Sequence, residues 1–408
     1  MVRALLSTIG SRGDVQPLVA LASQLSELGQ EVRFCVPPDF RGWVDSLGFP
    51  VVPIGPELRP IASSSRSDMQ DHSSPERRRR SEDTVAAQFA TIPEAARGCD
   101  VLLGFGALQI AARSVAELLG IRYVHATFCP ITLPSALHAP PLLPGWEPDR
   151  TAGNRGLWAQ NARHWNDSFG AALNTHRAAA GLAPVDDVYD HMITNRPWLA
   201  ADPTLAPWPE PNDPSVVRMG AWILSDERPL SAELEAFLIA GEPPVYFGLG
   251  SMPAPREDVS RVVATAARML GRRVIVSRGW AELSLADNAP DCVVIGETNL
   301  QALFQRVAAV VHHGGSGTTT AAARAGAPQV AMPQWYDQYY WAQRIEHLGI
   351  GAAHQPGVPT VDSLATALSH ALRSDVVARA HTVAAAVRTD GARIAAQRLM
   401  SLGSAFTP

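Results

Sequence analysis

The chain has 408 residues, of which 46% are hydrophobic and 18% charged, and a net charge of −5. That length exceeds what one hydrophobic core organises and suits two domains of roughly 200 residues each, while the acid excess gives no reason to expect nucleic acid or an anionic membrane as partner. No apolar run approaches the roughly 18 residues that a membrane helix needs, the chain starts straight into a strand pattern without room for a signal peptide, and the expectation is a cytoplasmic protein, a monomer or weak dimer.

Residues 3–8 (RALLST) read as a buried parallel strand, 10–14 (GSRGD) as a tight turn, and 15–29 as a helix with Leu18, Leu21, Leu25 and Leu28 on one face. A strand over 31–36, a helix over 38–47 and a third strand over 50–53 continue the alternation that marks an α/β domain with a parallel sheet. The pattern breaks at 63–83, a polar, Ser-rich and strongly charged stretch expected as a mobile surface loop. Its run Arg77–Arg80 reads as a solvated face in preference to a grip on an anionic partner. A helix near 84–97, a strand at 101–104, a helix at 108–119 and a strand at 123–127 follow. Residues 129–148 are rich in proline and poor in charge, which excludes regular structure and suits the wall of a cleft. In the helix over 158–180, Trp158, Trp165, Phe169 and Leu173 recur at roughly helical spacing and read as core.

Residues 202–214 (DPTLAPWPEPNDP) read as a linker, because their prolines exclude both helix and central strand. After them the plan begins again: a strand at 244–248, a tight Gly-Ser turn and a helix over 256–270. Further strands are expected at 273–277, 293–295, 309–311 and 329–332, with helices over 361–373, 375–388 and 392–402. The expected division is thus a first domain over 1–201, a linker over 202–216, a second domain over 217–388, and a terminal segment over 389–408 whose helix packs back on the first. Two such halves put a cleft between the C-terminal ends of both sheets. Cys35, Cys99, Cys129 and Cys292 lie far apart in no metal-ligand spacing and read as reduced thiols.

The stretch 310–320 (VVHHGGSGTTT) carries a strand into a Gly-rich turn and a helix N-terminus. Free N–H groups and the positive end of a helix dipole then point at one spot. With the turn at Gly250-Ser251 on the same sheet edge, it offers backbone donors, the hydroxyls of Ser251, Ser316 and Thr318, and an imidazole. That set suits a diphosphate, whereas neither GxxxxGK[ST] nor GxGxxG is present. His312 and His313 have no third ligand at metal spacing, so no metal site is expected. The same loop could be a structural turn with two strand-end histidines. Asp337-Gln338, after the next strand, could fix neighbouring sugar hydroxyls, or form an Asx-type turn or helix cap. Asp14, at the start of the first helix, could take a proton from an attacking hydroxyl, or serve as a cap. Ser11 and Arg12 share its turn.

Together, GSRGDVQPLVALA, GAWILSDERPLSAELEAFL, SRGWAEL, and VVHHGGSGTTTAAARAGAPQ with DQYYWAQRI resemble the glycosyltransferases that decorate glycopeptide antibiotics of the vancomycin group. More widely they resemble the nucleotide-sugar-dependent family 1 enzymes that act on sterols and macrolides. The resemblance implies the GT-B fold, two Rossmann-like parallel-sheet domains facing across a cleft, and an inverting hexosyl transfer from a TDP- or UDP-sugar without a metal ion or other cofactor. It implies Asp14 as the base, Asp337 as a second carboxylate, and Asp337 with Gln338 on sugar hydroxyls. It places Ser251, His313, Gly315, Ser316, Gly317 and Thr318 at the donor diphosphate, with Ser11 and Arg12 reaching it from the other domain. Plant members stack the base on a Trp whose position here falls near Gly296, so backbone groups around 294–297 would hold the base, with Trp280 at the rim. Tyr339-Tyr340-Trp341 is bulkier than the usual pattern and would either narrow the sugar pocket or pack. The implied acceptor is a large hydrophobic natural product: a glycopeptide phenol first, then a macrolide, ansamycin, polyphenol or sterol. A silent nucleotide-sugar-binding partner protein and a nucleotide-sugar epimerase are the alternatives.

Overall fold

The computed structural model describes residues 1–62, 74–143, 146–285, 289–355 and 357–403. The first sheet contains β1 (Arg3–Ser7), β2 (Glu31–Val36), β3 (Val51–Pro53), β4 (Val101–Phe105), β5 (Arg122–Thr127) and the two-residue strands β6 (Trp198–Leu199) and β7 (Val217–Arg218). The second contains β8 (Val245–Gly248), β9 (Val274–Ser277), β10 (Cys292–Ile295), β11 (Ala309–His312), β12 (Gln329–Ala331) and β13 (Gly351–Ala353). Runs such as VLLGF in β4 and AVVH in β11 are buried throughout, as strands must be when helices cover both faces of a parallel sheet.

The strand orders are β3-β2-β1-β4-β5-β6-β7 and β10-β9-β8-β11-β12-β13, with parallel pairing in both. Each order reverses once, between β1 and β4 in one sheet and between β8 and β11 in the other. Crossovers leave to opposite faces at such a point, and a crevice opens beyond the strand ends. The expected two-sheet α/β plan is therefore present, and each half contributes one crevice.

Three segments differ from the sequence reading. Residues 63–73 of the expected loop lie outside the described residues, but the rest of it is the start of a helix, Ser74–Ala95. The reason is a buried stripe of Ser81, Val85, Gln88 and Ile92 at helical spacing. Two of its four members are polar and so hid it. Gln88 is satisfied by Leu108 O and Ala111 N–H, and Arg80 pairs with Glu76 one turn back at 2.7 Å. Residues 202–216 join β6 to β7 within the first sheet, so the chain crosses to the second sheet only after Arg218. Prolines exclude helix there, yet Leu205, Ala206, Trp208 and Val216 are buried with Trp341, Ile345 and Val383 of the second half. Finally, the helix read over 158–180 runs Gly153–Trp165, passes through a π-helical turn at Asn166–Gly170, and resumes at Ala171–Ala179. Its Trp158, Trp165 and Leu173 are core, packed with Val188 and Tyr189.

The last helix, Gly391–Gly403, buries Ala392, Ala395, Ala396 and Leu399 in one cluster with Leu18, Leu21 and Leu25 of the first half. Among the described residues no helix is long and apolar enough to cross a membrane.

Candidate active site

β8 and β11 are neighbours in the register Gly248↔His312, so the turns that follow them open at one edge. After β8, Gly250 turns at φ 60°, its carbonyl accepts from Trp280 N–H at 2.8 Å, and Ser251 follows. After β11 the two histidines part. His312 is fully buried, with Nε2–H donating to Gln329 Oε1 and Nδ1 accepting from Gly314 N–H, each at 3.0 Å. Those partners fix one neutral tautomer, and burial lowers its pKa to about 3. His312 therefore shapes the loop and cannot act as a ligand. His313 stands between two glycines: a methyl group on Gly315 would lie 2.3 Å from its Nε2, and one on Gly250 3.3 Å from its Cε1. Burial lowers its pKa to about 4, so the ring is neutral at pH 7, and among the described residues its buried Nδ1 has no partner.

The helix Ser316–Ala325 begins at Gly315 without a side-chain cap. Among the described residues the hydroxyls of Ser251, Ser316 and Thr318 are unpartnered as well, whereas Thr319 is spent on Gly315 O at 2.9 Å. Uncapped N–H groups at residues such as Gly317, free hydroxyls and a neutral imidazole thus converge beyond β8 and β11. Such a set is suited to an anion of diphosphate size.

Met332 N–H donates to His312 O at 2.7 Å and carries the next loop to the same edge. There Gln338 uses Oε1 to accept from Gln334 N–H (2.8 Å) and Trp335 N–H (3.3 Å), which leaves its amide nitrogen for other work. Asp337 Oδ2 accepts from Trp341 Nε1–H at 2.9 Å. Trp341 is fully buried, so it packs and does not narrow the cleft. Burial raises the Asp337 pKa to about 7, against the pull of Trp341 and with a further push from Asp14.

Across the cleft, the first helix begins at Arg12, three residues earlier than the leucine pattern indicates, and Ser11 is its cap. Asp14 is the third helical residue and completes a capping box by accepting from Ser11 N–H at 2.8 Å through Oδ2. A methyl group on Gly10 would lie 2.3 Å from Oδ2, and one on Gly106, which turns at φ 84° after β4, 3.1 Å from Oδ1. The carboxylate thus occupies the β1–β4 crevice because both flanking residues lack side chains. Burial raises its pKa to about 6 despite the Ser11 bonds. The glycine that ends the VLLGFG run was the available sequence signal for this second wall.

Arg12 is not free to face the phosphate loop. Its guanidinium lies 3.4 Å from the Trp43 ring centre and bonds Gln16 Oε1 and Glu297 Oε1, each at 3.1 Å. Trp280 stacks on Phe40 of the first half, with centroids 5.8 Å apart, and Arg59 pairs with Glu282. These contacts join the halves along one side of the cleft; neither Trp43 nor Phe40 stood out in the sequence. Among the described residues no three of His, Cys, Asp and Glu converge as metal ligands.

Residues 4–137 match the glycosyltransferase family 28 N-terminal domain, and residues 260–395 match the C-terminal domain of the erythromycin biosynthesis protein CIII-like family. The chain is 49% identical to a vancomycin aglycone glucosyltransferase of Amycolatopsis orientalis, covering 100% of this chain and 99% of the relative. It is 44% identical to a dTDP-epi-vancosaminyltransferase of the same organism, covering 94% and 93%. Among solved structures, the fold is similar to that of the glycosyltransferase of kitacinnamycin, with a TM-score of 0.71 at 19% identity over 98% of each chain. With sheets, crevices and relatives in agreement, the chain belongs to the GT-B glycosyltransferases, in the branch that holds the vancomycin-group enzymes.

Proposed function

We propose that this enzyme moves a hexose, glucose or a deoxysugar, from a TDP- or UDP-sugar to a hydroxyl of a glycopeptide aglycone, with inversion at the anomeric carbon. The acceptor class follows the relative named for vancomycin aglycone, and the nucleotide follows the relative named for a dTDP-linked sugar. One observation carries the mechanism: Asp14 is held in the first crevice with Oδ1 free among the described residues and a pKa of about 6. A carboxylate with that pKa is mostly ionised at neutral pH, yet more basic than an ordinary aspartate.

In this reading the acceptor hydroxyl gives its proton to Asp14 Oδ1 as its oxygen attacks the anomeric carbon. The bond to the diphosphate breaks on the opposite face, and the new bond has inverted configuration. Negative charge building on the departing diphosphate meets the uncapped helix start at Ser316–Thr318, the Ser251 hydroxyl and the His313 imidazole. Fixed donors in a water-poor site stabilise such charge without reorganising. Asp337 Oδ1 and the Gln338 amide nitrogen would hold sugar hydroxyls, and Trp280 and the 294–297 backbone the base side. Ser11 caps the first helix beside Asp14, and Arg12, on Glu297, ties the two halves together. We place the domain division just after Arg218, with the last helix belonging to the first domain.

A mass-spectrometric assay tests this, with UDP-glucose and TDP-glucose each offered to vancomycin aglycone, with and without a chelator. A gain of one hexose, equal in both conditions, is expected. Donor binding without transfer to the aglycone, ansamycins, macrolides or flavonoids would refute the acceptor reading.

A further inference from the structure

The wall that Gly106 gives to Asp14 belongs to a short irregular segment between β4 and the helix Ala112–Leu119. That helix starts at Ala111, whose methyl group cannot cap it. Gln88, on the helix Ser74–Ala95, supplies what is missing. It is fully buried; its Nε2–H donates to Leu108 O at 2.9 Å and its Oε1 accepts from Ala111 N–H at 2.8 Å. A buried amide that spends a donor and an acceptor on two backbone groups fixes both, because breaking either bond strands a polar group away from water.

The other end of the segment is pinned too, since Thr8 Oγ1–H donates to Phe105 O at 3.0 Å. Between the pins at Phe105 and Leu108 lie Gly106 and Ala107 alone. Gln109 seats the segment from beneath. A methyl group on Gly104 would lie 3.2 Å from Gln109 Cβ and 2.8 Å from the Tyr123 hydroxyl, so Gln109 and Tyr123 take the room that a side chain at 104 would need. Gly106 is thereby held where a methyl group on it would lie 3.1 Å from Asp14 Oδ1 and 3.9 Å from Thr8 Oγ1. The chain of contacts runs from Gln88 through Leu108 O to Gly106 and the carboxylate.

We propose that Gln88 is a positioning residue for the base: it holds Gly106 against Asp14, which keeps Oδ1 in one place and water off that side of the carboxylate. This inference rests on the reading of Asp14 as the base and adds a residue on another helix that sets its surroundings. Without the Gln88 bonds the segment is released at Leu108, Gly106 withdraws, and water reaches Oδ1. Burial is what raises the Asp14 pKa, so the carboxyl then titrates lower. The other titratable groups around Asp14 are Asp337 and Tyr336 across the cleft and Arg12 on its own helix. Among the described residues Gln88 bonds to none of them.

The test is Gln88→Met, which keeps length and burial and removes both bonds. The Asp14 carboxyl is titrated by carbon NMR, and transfer from UDP-glucose and TDP-glucose to vancomycin aglycone is followed against pH. The wild-type carboxyl should titrate near 6 and that of the variant closer to 3.8. With donor Kd within about twofold of wild type, kcat should fall roughly 10- to 100-fold, the cost of a reacting group misplaced by about 1 Å. Should Gln88→Met not fold, Gln88→Asn, which keeps the amide one carbon short, carries the same two readouts. A variant that loses Tm yet keeps the wild-type titration and kcat would overturn the proposal. A wild-type kcat/KM with no acid limb where Asp14 titrates would overturn Asp14 as the base, and this inference with it. A wild type that leaves the aglycone unmodified would refute the acceptor reading alone, because the carboxyl titration needs no acceptor and still decides the role of Gln88.

Discussion

The substitution Asp14→Asn separates function from stability. The carboxyl titrates near 6 in the fold against 3.8 for a free aspartate. At about 1.4 kcal/mol per pH unit, ionising it costs up to about 3 kcal/mol more in the folded than in the unfolded chain. The sign follows from which state holds the proton more tightly. The folded state does, so this group's contribution is fully present below pH 3.8 and is lost as pH rises through about 6. An asparagine keeps the shape and can still accept from Ser11 N–H, but it carries no charge to bury. The variant should therefore match wild type near pH 4 and gain on it up to pH 7, after which the gap stays constant. At roughly 2–4 °C per kcal/mol for a domain of this size, the gap reaches several degrees in Tm. Transfer should fall by roughly 10²- to 10⁴-fold, the usual worth of a general base. The wild-type rise in kcat/KM through pH 6 should vanish with it. Thermal unfolding and transfer rates at pH 4.5, 6 and 8 measure both arms. A variant less stable than wild type at pH 8, or a Tm gap that ignores pH, would refute the buried-charge account. A variant that keeps the pH limb would refute Asp14 as the base.

His313→Ala removes the unpartnered imidazole donor, and kcat should fall by about 10²-fold, in the range known for single donors to developing charge; single-turnover kinetics with the donor prebound would show it, and an unchanged rate would exclude the ring from the diphosphate. Trp341→Phe deprives Asp337 of the indole N–H that lowers its pKa, so any kinetic limb near pH 7 should move to higher pH, and stability should drop by about 1–3 kcal/mol for the stranded oxygen; a limb that stays put would mean that Asp337 does not report in the rate. Arg12→Ala breaks the Trp43 stack and the Glu297 bond between the halves, together worth about 1–2 kcal/mol, and should raise KM for the donor about 5- to 30-fold. Scattering should show a larger radius for that variant, and an unchanged radius would argue against a pin between the halves.

What was legible in the sequence was local. Gly10-Ser11 before a leucine-patterned helix, and His313-Gly314-Gly315 between a strand and a threonine-rich helix, carry their geometry in consecutive residues. Both loops emerge where the sequence placed them, on one edge of each sheet. The two-residue strands β6 and β7 are too short to show a period. The prolines at 202–214 hid a buried connection between two of them, because proline reports the absence of helix and says nothing about burial. The stripe of Ser81 and Gln88 escaped because their burial depends on partners far along the chain. The same holds at the site: the split between His312 and His313 depends on Gln329, and the hold on Arg12 depends on Trp43 and Glu297. Tyr336, which turns at φ 53° just before Asp337, was silent for another reason, since its residue type argues against that conformation.

The return of the final helix to the first half has a topological consequence. In the division proposed above the second half is an insert: the chain leaves the first half near Gly220, folds the second sheet, and comes back at Gly391. The two crossings touch, since a methyl group on Gly391 would lie 2.5 Å from the Gly220 carbonyl carbon. A chimera that takes its donor half from a relative therefore needs two junctions, one at each crossing. A single junction after Arg218 would give the first half a foreign Ala392, Ala395, Ala396 and Leu399 against its own leucines. The paired crossings also mean that any rotation of one half against the other would have to be taken up by two adjacent backbone segments together.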